Sequence, residues 1–364
     1  VNNKNSLPLL SEGIKQINTF CYIHIPFCTS KCKYCRFASY NIDAIKINLY
    51  IENLLKEIKE EKIDFKFLKS IYLTPSVLSI KQLEQIINSL KDKYDFDKKI
   101  EINIEATPVT VTKSNIIWKK IINRISIVQT LNNKSLKEIR DEKDIFTALN
   151  NLKSVFENVS IDLIIGLPYV KKEQKKYIEY ILHNYSFIKH VSVYMLEEYY
   201  DIPEIKDSNF ENITYPDNWD KLILEDDYLE YSEIKELLIS KYNPYEISNF
   251  AKQYECKHNQ AYWNHSNILA FLAHSFINNE RYSNSENFIE YYFKKEIQEK
   301  LDSEDLFIEK IMFNLRTSLS KNDYEKLNKS KIDELVENYL MQKDDKLVLT
   351  NRILVMDYIL SEII

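Results

Sequence analysis

Short apolar segments of strand type alternate with amphipathic helical stretches through the first half of the 364-residue chain, and this rhythm limits the fold more than any other feature. The strand-type segments are Cys21–Pro26, Ser70–Leu73, Ile100–Glu105, Arg124–Val128, Val159–Ile165 and His190–Met195, each rich in Ile, Val or Tyr. Between them, Ile47, Ile51, Leu54, Leu55 and Ile58 fall at helical spacing, as do Leu83, Ile86, Ile87 and Leu90. A helix between two strands returns the chain to the same end of the sheet, so the strands are expected to pair in parallel. Six such units predict an α/β fold, a partial (βα)6 TIM-type barrel, with its chemistry at the C-terminal strand ends. The rhythm stops near Asp201. The expected division is an N-terminal extension over 1–20, the barrel over 21–200 and a mainly helical C-terminal domain over 201–364. Its last part, Ile332–Leu340, Lys346–Leu349 and Ile353–Ile363, reads helix, strand, helix, as in winged-helix units.

A hydrophobic content of 45% allows a large core. The net charge of −6 is spread over interspersed acids and bases, so no basic field points to nucleic acid as a partner. No apolar run approaches the roughly 20 residues of a membrane helix, and Val1–Asn5 has no signal-type hydrophobic region, so no transmembrane segment and a cytoplasmic location are expected. Five cysteines, three of them within residues 28–35, are no disulfide framework and favour metal or redox use in a reducing compartment.

Cys28, Cys32 and Cys35 place three thiolates on one short loop after the first strand, a spacing suited to three corners of a cubane cluster with the fourth left open. Structural zinc would take four protein donors, with His24 as the only nearby candidate. Inert, buried cysteines are the third reading.

Tyr22–Cys28 running into Cys32 and Cys35 resembles the radical S-adenosylmethionine (SAM) signature of the oxygen-independent coproporphyrinogen III oxidase family. The likeness continues through Thr74–Ser76, Ile104–Ala106, Asn123–Ser126, Val128–Gln129 and Ile161–Pro168, in the family's order. It implies a radical SAM barrel with a [4Fe–4S] cluster on the three cysteines, whose open iron holds the amino and carboxylate groups of SAM. By the same resemblance Tyr22, Tyr34, Glu105, Gln129, Arg140 and Asp162 match SAM-holding positions. Carboxylates and an Arg suit the charged and hydroxyl groups of that ligand. On their own, Asp162 could be a satisfied structural acid and Arg140, among Glu138, Asp141 and Glu142, a solvated charge. The resemblance assigns no catalytic residue.

Within the family, the dehydrogenase branch carries a further cysteine shortly after the triplet, whereas the haem-chaperone branch has an acid and then an aromatic residue. Here Arg36 stands in the acid's place and Phe37 follows. Tyr245–Ala251, and His258 and Asn259 followed by Tyr262 and Trp263, resemble the chaperone branch, where the latter motif is associated with haem. His258 is thus the candidate axial ligand, with Tyr262 and Trp263 as flat porphyrin-facing surface; Cys256, His265 and His274 are weaker candidates. Without the resemblance, a packed and hydrogen-bonded His258 is the commoner arrangement. The implied function is a haem chaperone with haem or porphyrin as cargo, a haem-acceptor protein and an electron donor for the cluster as partners. The alternatives are a coproporphyrinogen dehydrogenase and a decayed paralogue retaining only the cluster.

The chain holds 2 glycines, where average usage of about 7% gives roughly 25. The family's glycine-rich turn before Thr74–Ser76 is absent, and Leu73 stands there instead. Similar single losses fall between Ile127 and Val128, before Tyr254 and within Ile268–His274, a pattern expected if glycine codons go unread in translating the gene. The native protein is then heavier than 43.5 kDa by intact mass; a mass equal to that value refutes the expectation.

Overall fold

A computed structural model describes residues 18–28, 37, 39–63, 67–74, 77–128, 142–165, 174–195, 219–283, 296–327, 333, 340–343 and 346–349. In chain order, β1 (Asn18–His24) leads through the short β2 (Phe27–Cys28) and β3 (Tyr40–Asn41) into α1 (Ala44–Glu60). There follow β4 (Phe67–Thr74), α2 (Ile80–Lys93), β5 (Asp95–Ala106), β6 (Arg124–Val128), α3 (Glu142–Leu152), β7 (Asn158–Ile165), α4 (Gln174–Asn184) and β8 (His190–Met195). Strands β1, β4, β5, β6, β7 and β8 lie side by side in that order, all parallel. Their positions match the six sequence-predicted strands, with Arg124–Val128 and His190–Met195 agreeing at both ends.

The helices form because their apolar positions recur on one face and their first turns are capped. In α1 the buried positions include Ile47, Ile51, Leu54 and Ile58, and Asp43 accepts hydrogen bonds from Ile45 N at 2.8 Å and Lys46 N at 3.1 Å. In α2, Ser79 and Gln82 form a capping box, an arrangement whose loss costs about 1 kcal/mol. Both helices bury their apolar face against one continuous core.

Alternation within the parallel strands is strict. Ile102 and Ile104 of β5, Ile125 and Ile127 of β6, Val159, Ile161 and Leu163 of β7, and Val191 and Val193 of β8 are buried in the apolar core. Of the residues between them, Asn103 bonds Arg124, and Ser126, Ser160, Asp162, His190 and Ser192 are linked by hydrogen bonds on the opposite face, while Glu105 accepts from Tyr72 and Glu101 from Lys257 N. Parallel strands buried on both faces ordinarily read as unbroken apolar runs. Here one face is polar, and the barrel encloses hydrogen-bonding side chains.

Downstream, α5 (Trp219–Ile239), β9 (Asn243–Pro244), β10 (Asn249–Ala251), α6 (Lys257–Trp263), β11 (Asn267–Phe271), β12 (Ser275–Ile277), β13 (Glu280–Ser283) and β14 (Glu296–Lys300) precede α7 (Ser303–Arg316). The same sheet continues through these strands: β11 pairs in parallel with β1 and is followed by β12, β13 and β14, while β10 and β9 extend the β8 edge antiparallel. The sheet therefore runs on past residue 201, and the described residues of the C-terminal portion add strands to the barrel sheet beside their helices, Ile268–Phe271 forming an apolar strand buried beside β1. Last come β15 (Leu319–Ser320), α8 (Lys321–Tyr324), β16 (Leu340–Lys343) and β17 (Lys346–Leu349), whose strands form a separate sheet in the order β15, β17, β16. The strand expected at Lys346–Leu349 is present; the flanking helix expected at Ile353–Ile363 lies outside the described residues.

Glycine poverty leaves a mark on the backbone. Five described residues with side chains adopt positive φ: Ser154, His265, Leu272, Asn278 and Asn279. Asn accommodates this region well, but Leu272, at φ 55 in the β11–β12 turn, pays the Cβ clash that glycine avoids. Leu272 lies in Ile268–His274, one of the segments where the family resemblance places a glycine. Leu73, by contrast, is a fully buried strand residue paired with Ile23 and Ile104, so β4 stays extended where a glycine turn is expected.

Candidate functional site

Cys28 ends β2, which pairs with β3 so that Cys28 sits opposite Asn41 just beyond the C-terminal end of β1. It is half-buried. Cys32, Cys35, Tyr34, Gln129 and Arg140 lie outside the described residues. The donor chemistry suits an iron–sulfur cluster: three thiolates follow the first strand, and Cys28 is held by strand pairing at the end of the barrel where parallel barrels do their chemistry. His24 is buried in the barrel wall with its ring against Tyr22 at 6.4 Å.

Three of the SAM-matching residues are described, and all three share the polar face. The Tyr22 hydroxyl meets Thr74 Oγ1 at 3.0 Å, tying β1 to the end of β4. Glu105, near the end of β5, accepts a hydrogen bond from the Tyr72 hydroxyl at 2.7 Å. Burial raises its carboxyl pKa to about 7 against the lowering effect of that hydrogen bond, and the charge of Asp162 adds to the rise. Asp162 accepts from Ser126 Oγ at 2.7 Å, Ser192 Oγ at 2.7 Å and Ser160 Oγ at 3.1 Å. The bland reading of Asp162 as a satisfied acid thus describes its present contacts, while its place inside the barrel suits a ligand-facing role.

The shift at Glu105 has a testable sign. A carboxyl with a pKa near 7 is neutral below that value, so a ligand that needs the carboxylate binds less well as pH falls. SAM affinity, measured by equilibrium dialysis, is expected to drop about tenfold from its plateau above pH 8 to pH 6. Glu105→Gln should flatten the profile; a wild-type profile flat across this range contradicts the assignment.

His258 lies on α6 at the other end of the polar interior. It is 1% exposed, with Nδ1 at 2.8 Å from Ser70 Oγ. Its ring stacks on Tyr72 at 5.0 Å and Tyr22 at 6.1 Å, and meets the edge of Tyr262 at 5.2 Å. Nε2 is buried and has no hydrogen-bond partner. Burial, helped by the charge of Arg124, pushes the imidazole pKa down to about 3, so the ring is neutral at physiological pH. A neutral ring whose Nε2 is unused keeps one nitrogen available to a metal, while the Ser70 hydrogen bond at Nδ1 holds the ring in its present place. The carboxylate of Glu101 gathers the start of α6, facing Lys257 N at 3.3 Å and Cys256 Sγ at 3.5 Å.

The three haem-associated residues do not share a face. His258 and Tyr262, four residues apart, lie together, whereas five residues turn the helix about 140° further round. Trp263 consequently faces α7, with the Arg316 guanidinium 4.2 Å from its ring centroid and Phe313 at 6.0 Å. The weaker candidates separate as well. Burial pushes the Cys256 thiol up to about 12, which keeps it protonated. His265 is stacked on Phe276 at 4.4 Å and paired with Glu309, and His274 is exposed.

Sequence reasoning missed Ser70, Tyr72, Asn103, Arg124, Ser126, Ser160, His190 and Ser192. Their signal was present: polar residues alternating with Ile and Val in strands that had to be parallel, hence buried on both faces. His190 joins two elements of the site, bonding Ser160 Oγ at 2.7 Å through Nδ1 and the Tyr245 hydroxyl at 2.8 Å through Nε2.

Comparisons with known proteins bear on the family and the fold. The sequence model of the Radical SAM superfamily matches residues 22–181. Heme chaperone HemW of Lactococcus lactis subsp. lactis is 31% identical over 360 residues, covering 89% of this chain and 90% of that protein. Heme chaperone HemW of Bacillus subtilis is 33% identical over 286 residues, covering 71% of each chain. The solved structure of coproporphyrinogen III oxidase (HemN) from Escherichia coli, a radical SAM enzyme, superposes with a TM-score of 0.73 at 17% identity, covering 95% of this chain and 90% of that one. That likeness is one of fold.

Proposed function

Because the chain belongs to the Heme chaperone HemW family within the radical SAM proteins, we propose that it binds haem and a [4Fe–4S] cluster and hands haem to an acceptor protein. The observation that carries this reading is the relationship to a HemW protein over 89% of the chain, with the cysteine loop inside the radical SAM match at residues 22–181. Cys28, Cys32 and Cys35 hold the cluster, which when bound supplies an open iron for the amino and carboxylate groups of SAM. Tyr22, Glu105 and Asp162 line the barrel interior beside that ligand, with Tyr34, Gln129 and Arg140 completing its contacts. His258 supplies a neutral imidazole for haem iron, and Tyr262, on the same helix face, supplies aromatic contact. Trp263 serves instead as the packing surface for Arg316 and α7. An electron donor reduces the cluster, and the protein works in the cytoplasm. No helix of the described residues is long and apolar enough to cross a membrane.

Haem titration and a coproporphyrinogen turnover assay on the same cluster-reconstituted protein test the reading. The expected result is saturable haem binding with no porphyrin product. Turnover would establish a dehydrogenase instead, and binding of neither haem nor SAM would establish a relic that keeps only the cluster.

A further inference from the structure

Tyr72 touches both halves of the site. Its hydroxyl donates to Glu105 Oε1 at 2.7 Å, and its ring lies 5.0 Å from that of His258 at an interplanar angle of 25°. On the same strand Ser70 holds His258 Nδ1 at 2.8 Å. Successive inward-facing residues of a strand are about 6.6 Å apart, so one short segment of β4 spans from the SAM-facing carboxylate to the haem-facing imidazole. His258 is 1% exposed and flanked by Tyr22, Tyr72 and Tyr262, so a porphyrin cannot reach Nε2 unless the ring leaves this stack.

We infer that Tyr72 is a positioning residue through which SAM opposes haem ligation: donating to Glu105 and stacking on His258, it holds the imidazole inside the barrel while SAM is bound. A donor group of SAM on Glu105 favours the carboxylate, and a full negative charge strengthens the hydrogen bond from Tyr72. The fixed phenol ring then presents a rigid face to His258. Withdrawal of His258 to haem removes that face, frees Tyr72 and weakens the hold on Glu105. By linkage the two effects are equal in size, so haem weakens SAM as much as SAM weakens haem.

The inference rests on the proposed haem and SAM sites. It is tested by haem titration, followed in the Soret band, on cluster-reconstituted wild type, Tyr72→Phe and Ser70→Ala, with and without saturating SAM. In wild type, SAM is expected to weaken haem binding about tenfold, within the usual range of site coupling. In Tyr72→Phe, which keeps the ring and loses the donor, the ratio of affinities with and without SAM should fall to about one. A purely structural role for Tyr72 would instead lower both affinities and leave the ratio unchanged. Ser70→Ala, which releases Nδ1, should tighten haem binding severalfold without SAM. Unchanged haem affinity in wild type with both ligands bound, or a wild-type ratio in Tyr72→Phe, overturns the coupling and leaves the chaperone reading intact. Absence of haem binding in wild type overturns both.

Discussion

Cys28→Ala is expected to yield a folded chain that assembles no [4Fe–4S] cluster, with iron and sulfide after anaerobic reconstitution falling from about four of each per chain to near zero. Removing one of three thiolate donors leaves two, too few for a cluster that already keeps one iron open. The fold should survive, because Cys28 is half-buried at the end of a two-residue strand whose pairing with Asn41 is made by backbone groups. The structure supplies the controls. Cys21 and Cys256 are fully buried, Cys21 in the apolar core and Cys256 beside Glu101. Cys21→Ala and Cys256→Ala should therefore keep wild-type iron content. Retention of the cluster by Cys28→Ala, or its loss in either control with native secondary structure, contradicts the assignment of the triplet.

Glu246→Ala is expected to lower stability by about 3–5 kcal/mol, the range for breaking a buried ion pair by removing one partner. Glu246 has 0% exposure and accepts from Arg316 Nη2 at 3.0 Å, Ser248 N at 2.7 Å and Asn249 Nδ2 at 2.5 Å. Its loss strands a guanidinium that also covers Trp263, so α7, the β10 edge and α6 lose a shared anchor. Denaturant unfolding measures the effect. Arg316→Met, which keeps the stem over the indole, should still leave Glu246 without its cation and prove strongly destabilising. A loss under 1 kcal/mol for Glu246→Ala would show that the pair adds little.

The barrel was legible because its strands and helices carry unambiguous periods: Arg124–Val128 and His190–Met195 were read to the residue. The site was legible only in outline. Cys28 and Glu105 declare themselves by spacing and by resemblance, but the support around them is distributed over six strands and no local window contains it. Tyr72 and Ser70 come into view only when β4 is laid beside β5 and beneath α6, contacts that join residues as far apart as Ser70 and His258. Trp263 stands apart from His258 and Tyr262 for a simple reason. A motif lists neighbours in sequence, whereas a helix separates residues five apart onto different faces, and Arg316 claims this one. The continuation of the sheet past residue 201 was hidden for another reason: β11 is a strand of 5 residues, and the apolar run Ile268–Ala273 that contains most of it has no period to tell strand from helix. Its place beside β1 depends on a parallel pairing across some 250 residues, which no local pattern encodes.

Haem transfer is the most direct measure of the central proposal. Protein loaded with one equivalent of haem is mixed with an apo haem-acceptor protein, and the Soret spectrum of each is followed after separation. The prediction is that haem appears on the acceptor faster than it leaves the chaperone alone, with the wild-type rate lost in His258→Ala. Haem that stays on the chain, or moves only at its rate of free dissociation, would contradict a chaperone function.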